Sequence, residues 1–291
     1  MMENALNHVK EVEVIYNKFI NSIEERGHYM IKLIATDMDG TFLDDHNQFP
    51  EDFYEVFYKL KKKGIIFGAA SGRQYYNLVE RFHDIKEQML FIAENGTYVV
   101  YKGEELYSHT LNLEEARKFI KIARTIEGVH IVLCGKKAAY IERSEPEALA
   151  EVNKYYARCD LVEDLMLVED EILKVSLLDF KGAEQNSATF FTSFKKDYQV
   201  TIGGYFWMDI MNAGANKGIA IKRVQELLNI HHNETMVFGD YLNDLEMMQS
   251  AYYSFAMGNA HDQIKDIARF ETKTNNQSGV IETIKEHILI A

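Results

Sequence analysis

The chain has 291 residues and a formal net charge of −13, with 47% hydrophobic and 26% charged residues. This length accommodates one large or two ordinary domains, and the composition is that of a soluble globular protein rather than a disordered or fibrous one. The acidic balance argues against a partner with a nucleic-acid backbone or an anionic membrane surface. The one compact basic run, Lys59-Leu60-Lys61-Lys62-Lys63, falls at a predicted helix end, where cations suit the helix dipole.

Two cysteines, Cys134 and Cys159, form no CxxC or Cys/His metal spacing, so neither a disulfide framework nor a zinc site is expected. Free thiols fit a reducing cytoplasm. No apolar run approaches the roughly 18 residues of a membrane span. Charged and polar residues such as Glu3, Lys10 and Glu13 interrupt the N-terminus where a secretory leader would be apolar. A cytoplasmic location is the expectation.

In chain order, residues 1–27 read as one helix, with Leu6, Val9, Val12, Tyr16, Phe19 and Ile23 at helical spacing. Met30 stands just before the first strand and is an alternative natural start, which leaves residues 1–29 as an extension. The apolar run 31–35 is a strand that leads into Asp37-Met38-Asp39-Gly40-Thr41. Residues 51–63 are helical, with Phe53, Val56, Phe57 and Leu60 on one face. A second strand, 65–70, ends at Ser71-Gly72-Arg73, and residues 74–82 are helical. A third strand, 90–93, ends at Glu94-Asn95-Gly96, and a hairpin follows over 98–109. Alternating strands and helices imply a doubly wound, mostly parallel, Rossmann-like α/β sheet.

Near residue 110 the pattern changes. Helices are expected over 113–126, 147–158 and 183–194. Strands are expected over 131–134, 138–142, 172–180, 199–202 and 205–210. Strand pairs with helices between them suggest an inserted α+β unit. The expected organisation is an extension at 1–29, a core at 30–111, an inserted cap domain at 112–206 and the rest of the core at 207–291. The α/β pattern resumes with Asn216-Lys217-Gly218 before a helix, then a strand, 235–238, ending at Gly239-Asp240-Tyr241-Leu242-Asn243-Asp244. A helix over 245–250, a strand over 253–256 and a final helix over 281–290 complete the reading.

Four segments carry the chemistry: Asp37 with Asp39, Ser71, Lys217, and Asp240 with Asn243 and Asp244. In a parallel sheet the strand ends share one edge, so these groups converge on one cleft. Each motif alone has a bland reading as a turn or a solvated helix start; the set does not. Crowded carboxylates repel, and one is protonated unless a cation is present. Hard oxygen ligands of this kind suit Mg²⁺. With Lys217, Mg²⁺ makes a site for a phosphate dianion despite the acidic chain. One carboxylate can then act as nucleophile and a second as proton carrier.

These segments together resemble the haloacid dehalogenase superfamily of phosphatases, in particular its Cof-type subfamily with a large α/β cap between the second and third motifs. The resemblance covers the chain from about Met30 onward. It rests on Asp37-Met38-Asp39-Gly40-Thr41-Phe42-Leu43, Ser71-Gly72-Arg73, Glu94-Asn95-Gly96, Asn216-Lys217-Gly218, residues 239–244 and the closing stretch 275–280 with Gly279-Val280. It implies Asp37 as nucleophile and Mg²⁺ ligand, and Asp39 as general acid/base whose backbone carbonyl also meets the metal. Thr41 would orient Asp39. Ser71, Gly72, Thr41, Lys217 and Asn243 would form the phosphate site, with Lys217 also catalytic. Asp240 would be a further metal ligand, with Asp244 beside it. Glu94 and Asn95 would lie close to the cleft.

The implied activity is hydrolysis of a small phosphorylated metabolite, such as a sugar phosphate or phosphorylated cofactor, through an aspartyl-phosphate. Related ion-pumping ATPases have Thr where Asp39 stands, and related dehalogenases also lack this Asp, so Asp39 favours a phosphatase or a phosphomutase. A phosphomutase, or a regulator that binds phosphometabolites without turnover, is the alternative. Substrate choice would lie in the cap, where Tyr205, Phe206 and Trp207 could face substrate or pack in the cap core.

Overall fold

Strand β1, Leu33–Thr36, is buried along its whole length, as a strand covered on both faces of a sheet must be. The computed structural model describes residues 30–289; the helix expected over residues 1–27 lies outside them. After β1 come helix α1 (Phe53–Lys62), strand β2 (Ile66–Ala70), helix α2 (Tyr75–Arg81) and strands β3 (Leu90–Ala93), β4 (Tyr98–Tyr101) and β5 (Glu104–Ser108). Helix α1 buries Phe53, Val56, Phe57 and Leu60, the face its spacing predicted.

The inserted region contains α3 (Leu113–Ala123), β6 (Val129–Gly135), β7 (Ala139–Ile141), α4 (Pro146–Val152), β8 (Cys159–Leu161), β9 (Ile172–Asp179), the short α5 (Ser187–Phe190), β10 (Tyr198–Ile202) and β11 (Trp207–Asn212). The chain then returns through α6 (Lys217–Leu228), β12 (Thr235–Gly239), α7 (Leu245–Met248), β13 (Tyr253–Ala256), α8 (Asp262–Ile267), β14 (Phe270–Glu271) and α9 (Gly279–Ile284).

Two sheets result. The first has eight strands in the order β14-β13-β12-β1-β2-β3-β4-β5. Every pair from β14 to β3 is parallel, and β4 and β5 join as antiparallel edge strands. The second has six strands in the order β10-β11-β9-β6-β7-β8. It is antiparallel except for β7 with β8. The expected α/β core with an inserted α+β cap is therefore the fold. Apolar residues of the first sheet, α1, α6 and α9 form one core, and the two faces of the second sheet carry cores of their own.

Several boundaries differ from the reading of the sequence. Strand β11 pairs with both β9 and β10, so the second sheet runs to Asn212 and not to residue 206. The helix expected over 147–158 ends at Val152, and the freed residues lead into β8, which went unpredicted. The helix expected over 183–194 is only the single turn α5 followed by a 3₁₀ segment, Thr192–Lys196. The final helix gives way after Ile284 to a wider π turn, Lys285–Leu289.

Candidate active site

Each motif stands at the C-terminal end of a parallel strand. Asp37 follows β1, Ser71 follows β2, Glu94 follows β3 and Asp240 follows β12. The strand order brings β12, β1, β2 and β3 side by side, so the four ends form one edge. Lys217 opens α6, whose start is capped by the Asn216 side chain accepting from the Ile219 amide at 2.8 Å. One cleft is lined by Asp37, Asp39, Ser71, Arg73, Asn95 and Asn243 from the first sheet's side. From the second sheet's side come Tyr155, Tyr156, Lys174, Trp207 and Asp209.

At its floor the Lys217 ammonium, fully buried, donates to Asp37 Oδ1 at 2.5 Å and to Asp244 Oδ1 at 2.7 Å. The other oxygen of Asp244 accepts from the Asp240 amide at 3.0 Å and the Tyr241 amide at 3.3 Å. Asp244 thus holds both the lysine and the loop that carries Asp240. Carboxylate oxygens of Asp37, Asp240 and Asp244 lie within 4.8 Å of one another. Burial raises the Asp37 carboxyl well above the usual carboxylate range; Lys217 opposes this, while Asp244, Asp240 and Asp39 add to it. Burial, with Asp244 next, pushes Asp240 up to about 7, against the hydrogen bond from Thr41. Burial draws the Lys217 ammonium down, but Asp244 and Asp37 outweigh it and its proton is held more tightly than usual.

One expected detail is corrected. Thr41 does not touch the Asp39 side chain: its hydroxyl donates to Asp240 Oδ1 at 2.7 Å. The Asp39 carboxylate stands apart from the converging three. It turns to Arg73, which donates from Nε to Oδ2 at 2.8 Å and from Nη2 to Oδ1 at 2.5 Å. Only the backbone carbonyl of Asp39 remains for the metal role the resemblance implies. Gly40 explains why the turn tolerates this crowding. Its φ is +78°, and a Cβ there would stand 2.4 Å from Asp240 Oδ2, so a side chain would strain the backbone and displace a carboxylate.

The remaining expected residues reach the cleft. Ser71 Oγ accepts from the Arg73 amide at 3.2 Å. Its own hydroxyl proton has no acceptor among the described residues, so it can donate to an incoming oxygen. Asn243 Nδ2 donates to Asn95 Oδ1 at 3.2 Å. Gly72 contributes its carbonyl, which accepts from Lys174 Nζ at 2.8 Å.

Lys174 is a residue that the motifs did not reveal. It sits in the apolar strand β9, and its ammonium also meets Asp209 Oδ2 at 2.9 Å and Glu94 Oε2 at 3.0 Å. The Glu94 contact is an ion pair without hydrogen-bond geometry, so neither Glu94 oxygen has a hydrogen-bond donor. Burial raises the Glu94 carboxyl, with Lys174 opposing it. Asp209 also accepts from Asn95 Nδ2 and from Ser176 Oγ. A lysine within a mostly apolar strand was the available signal, since a fully buried ammonium needs partners. Trp207 lines the cleft edge-on to Tyr155, with ring centroids 5.5 Å apart. Phe206 packs on Phe180, and Tyr205 is largely exposed.

Residues 34–284 match the haloacid dehalogenase-like hydrolase family. The chain belongs to this family. Among relatives of this haloacid dehalogenase-like hydrolase is the 5-amino-6-(5-phospho-D-ribitylamino)uracil phosphatase YbjI of Escherichia coli. It is 34% identical over 258 residues, covering 87% of this chain and 95% of YbjI. The Bacillus subtilis phosphatase of the same description, YcsE, is 27% identical over 259 residues, covering 89% and 96%. The crystal structure of SMU.1108c from Streptococcus mutans superposes with a TM-score of 0.83 at 29% identity, covering 89% of this chain and 99% of that one. The family resemblance read from the motifs is borne out, and the protein is a phosphoric monoester hydrolase.

Proposed function

We propose that the protein is a Mg²⁺-dependent phosphatase that hydrolyses a small phosphorylated metabolite through a phosphoryl group carried on Asp37. The observation that supports this best is the buried Asp37–Lys217–Asp244 contact at the edge where four strand ends meet. The donor set fits a hard divalent cation. Three carboxylates crowd together, and burial raises Asp37 and Asp240 above the ordinary carboxylate range, a strain that a cation would relieve. Asp37, Asp240 and the backbone carbonyl of Asp39 would hold Mg²⁺, with Asp244 fixing the loop. When bound, the ion neutralises charge on the phosphoryl oxygens.

The chain's own residues account for the rest. Ser71 Oγ–H and Lys217 Nζ bind phosphoryl oxygens. A carboxylate oxygen of Asp37 attacks phosphorus, and the bond from phosphorus to the ester oxygen breaks. Asp39, protonated, gives its proton to that oxygen. Water then attacks phosphorus, its proton passes to Asp39, and inorganic phosphate leaves with Asp37 regenerated.

For the substrate we propose a phosphorylated polyol bearing a planar heterocycle, the kind named for YbjI and YcsE. The edge-on Tyr155–Trp207 pair at the mouth of the cleft offers an aromatic surface for such a ring. Cytoplasmic residence is part of this proposal. Among the described residues no helix is long and apolar enough to cross a membrane.

The test is phosphate release from p-nitrophenyl phosphate with and without Mg²⁺. Activity should need the metal and fall by at least about 10³-fold in Asp37→Asn, because a covalent step has no substitute route. Full activity in that variant would overturn the reading. A screen of phosphorylated metabolites then tests the leaving group. A sugar phosphate turned over faster than the ribitylaminopyrimidine would overturn that part alone.

A further inference from the structure

We propose that Arg73 is a positioning residue for Asp39, and that it ties the placement of that carboxyl to the docking of the inserted domain on the core. The inference rests on the phosphatase reading above.

The Asp39 side chain is 46% exposed, and its only hydrogen bonds among the described residues come from Arg73. A carboxylate in that situation is free to rotate in the cleft unless something holds both oxygens. The planar guanidinium does so with two parallel bonds, a geometry one amine cannot reproduce. Arg73 itself is 3% exposed and is held from both domains, its Nη2 also donating to Asn47 Oδ1 at 3.3 Å. Its Nη1 donates to the Lys154 carbonyl at 2.7 Å and to Asn77 Oδ1 at 3.0 Å. The Tyr155 ring centre lies 5.0 Å from the guanidinium carbon.

The same segment docks through neighbouring bonds. The Gln74 amide donates to the Tyr155 carbonyl at 3.1 Å. The Gln74 side chain exchanges two 2.8 Å bonds with the Arg158 backbone. When residues 154–158 sit on α2, Arg73 is pinned and Asp39 faces the cleft. When they lift, Arg73 loses the Lys154 and Tyr155 contacts and keeps Asn77 and Asn47, so its hold on Asp39 slackens. The Asp39 carboxyl is therefore held at the cleft in the docked state.

A rival role is direct binding of the phosphoryl group, since an arginine in this place could act as a phosphate cation. The two roles separate by leaving group. Phosphoryl binding is common to all esters, whereas proton donation matters most for a poor leaving group. In Mg²⁺-loaded full-length protein, Arg73→Met should lower kcat for an alkyl phosphate such as glycerol 2-phosphate on the order of 10²-fold, a general acid's contribution. For p-nitrophenyl phosphate the loss should stay under about 10-fold, because its leaving group needs little protonation. Asp39→Asn should show the same ordering, and the double variant should lose little beyond Asp39→Asn alone.

Arg73→Met should fold, because Asn77 Nδ2 already donates to the Lys154 carbonyl at 3.2 Å. A thermal melt checks this. If it does not fold, Arg73→Lys carries the comparison, with a smaller loss in the same order. Equal losses on both esters, or a further large loss in the double variant, would overturn the proposal. Should the wild type hydrolyse neither ester with Mg²⁺, the phosphatase reading itself falls and this inference with it. Asp37-dependent turnover of the aryl ester keeps that reading whatever Arg73 does.

Discussion

At the residue scale, crowded acids make the unliganded site sensitive to pH in a definite direction. The Asp240 carboxyl is pushed up to about 7 from an ordinary 3.8, and Asp37 is raised too. Between these values the unfolded chain has released a proton that the folded one retains. The folded state then binds more protons, so metal-free stability falls as pH rises through that window, the Asp240 contribution ending above about 7. A divalent cation displaces the retained protons. The rise in melting temperature at a fixed Mg²⁺ concentration should therefore be larger at pH 8 than at pH 5, and differential scanning calorimetry can show it. Equal rises would contradict the metal placement. Gly40 offers a second check. In Gly40→Ala the new Cβ meets Asp240 Oδ2 at 2.4 Å with φ at +78°. Calorimetric Mg²⁺ titration should show affinity weakened by roughly 10-fold or more, the lower end for displacing a group around a metal ligand.

At the element scale, two buried lysines, one opening a helix and one within a strand, do similar electrostatic work and should respond differently to metal. Lys217 at the start of α6 compensates Asp37 and Asp244. Lys174 in β9 compensates Glu94 and Asp209. Removing either as methionine strands two buried carboxylates, with an expected cost of ~3–5 kcal/mol. Mg²⁺ can recover part of that loss for Lys217→Met, since Asp37, one of the two stranded groups, is its own ligand. It should recover none for Lys174→Met, whose partners stand apart from the three converging acids. Urea unfolding with and without Mg²⁺ measures the contrast. A Lys174→Met variant rescued by metal would show that the two clusters are not separate.

At the scale of the whole molecule, the first sheet was legible because buried parallel strands read as short apolar runs that end in reactive residues. The runs before Asp37, Ser71, Glu94 and Asp240 all became adjacent strands. The second sheet was less legible. Strand β8 (Cys159-Asp160-Leu161) is partly exposed and carries little alternation, so its pairing depends on distant β7. Strand β11 was expected as the partner of β10, but the domain boundary was set at 206, because its pairing with β9 across the sheet leaves no local trace. The site divides the same way. Residues at strand ends could be found from local pattern. The partners of Thr41, Arg73 and Lys174 are distant in sequence, and pairings of that kind leave no periodic trace. Arg73 was visible in Ser71-Gly72-Arg73, but nothing in that tripeptide says which carboxylate it grips.

The Lys174 contacts carry a mechanical consequence. The ammonium belongs to the second sheet, while Glu94 and the Gly72 carbonyl belong to the first. Substrate entry that parts the two sheets must hydrate groups that are dry when they meet. Water packs more densely around a bare charge than in bulk liquid, so the parted state occupies less volume than the joined one. Hydrostatic pressure should then favour the parted state, and high-pressure fluorescence of Trp207, the chain's sole tryptophan, sits beside the seam that would report it.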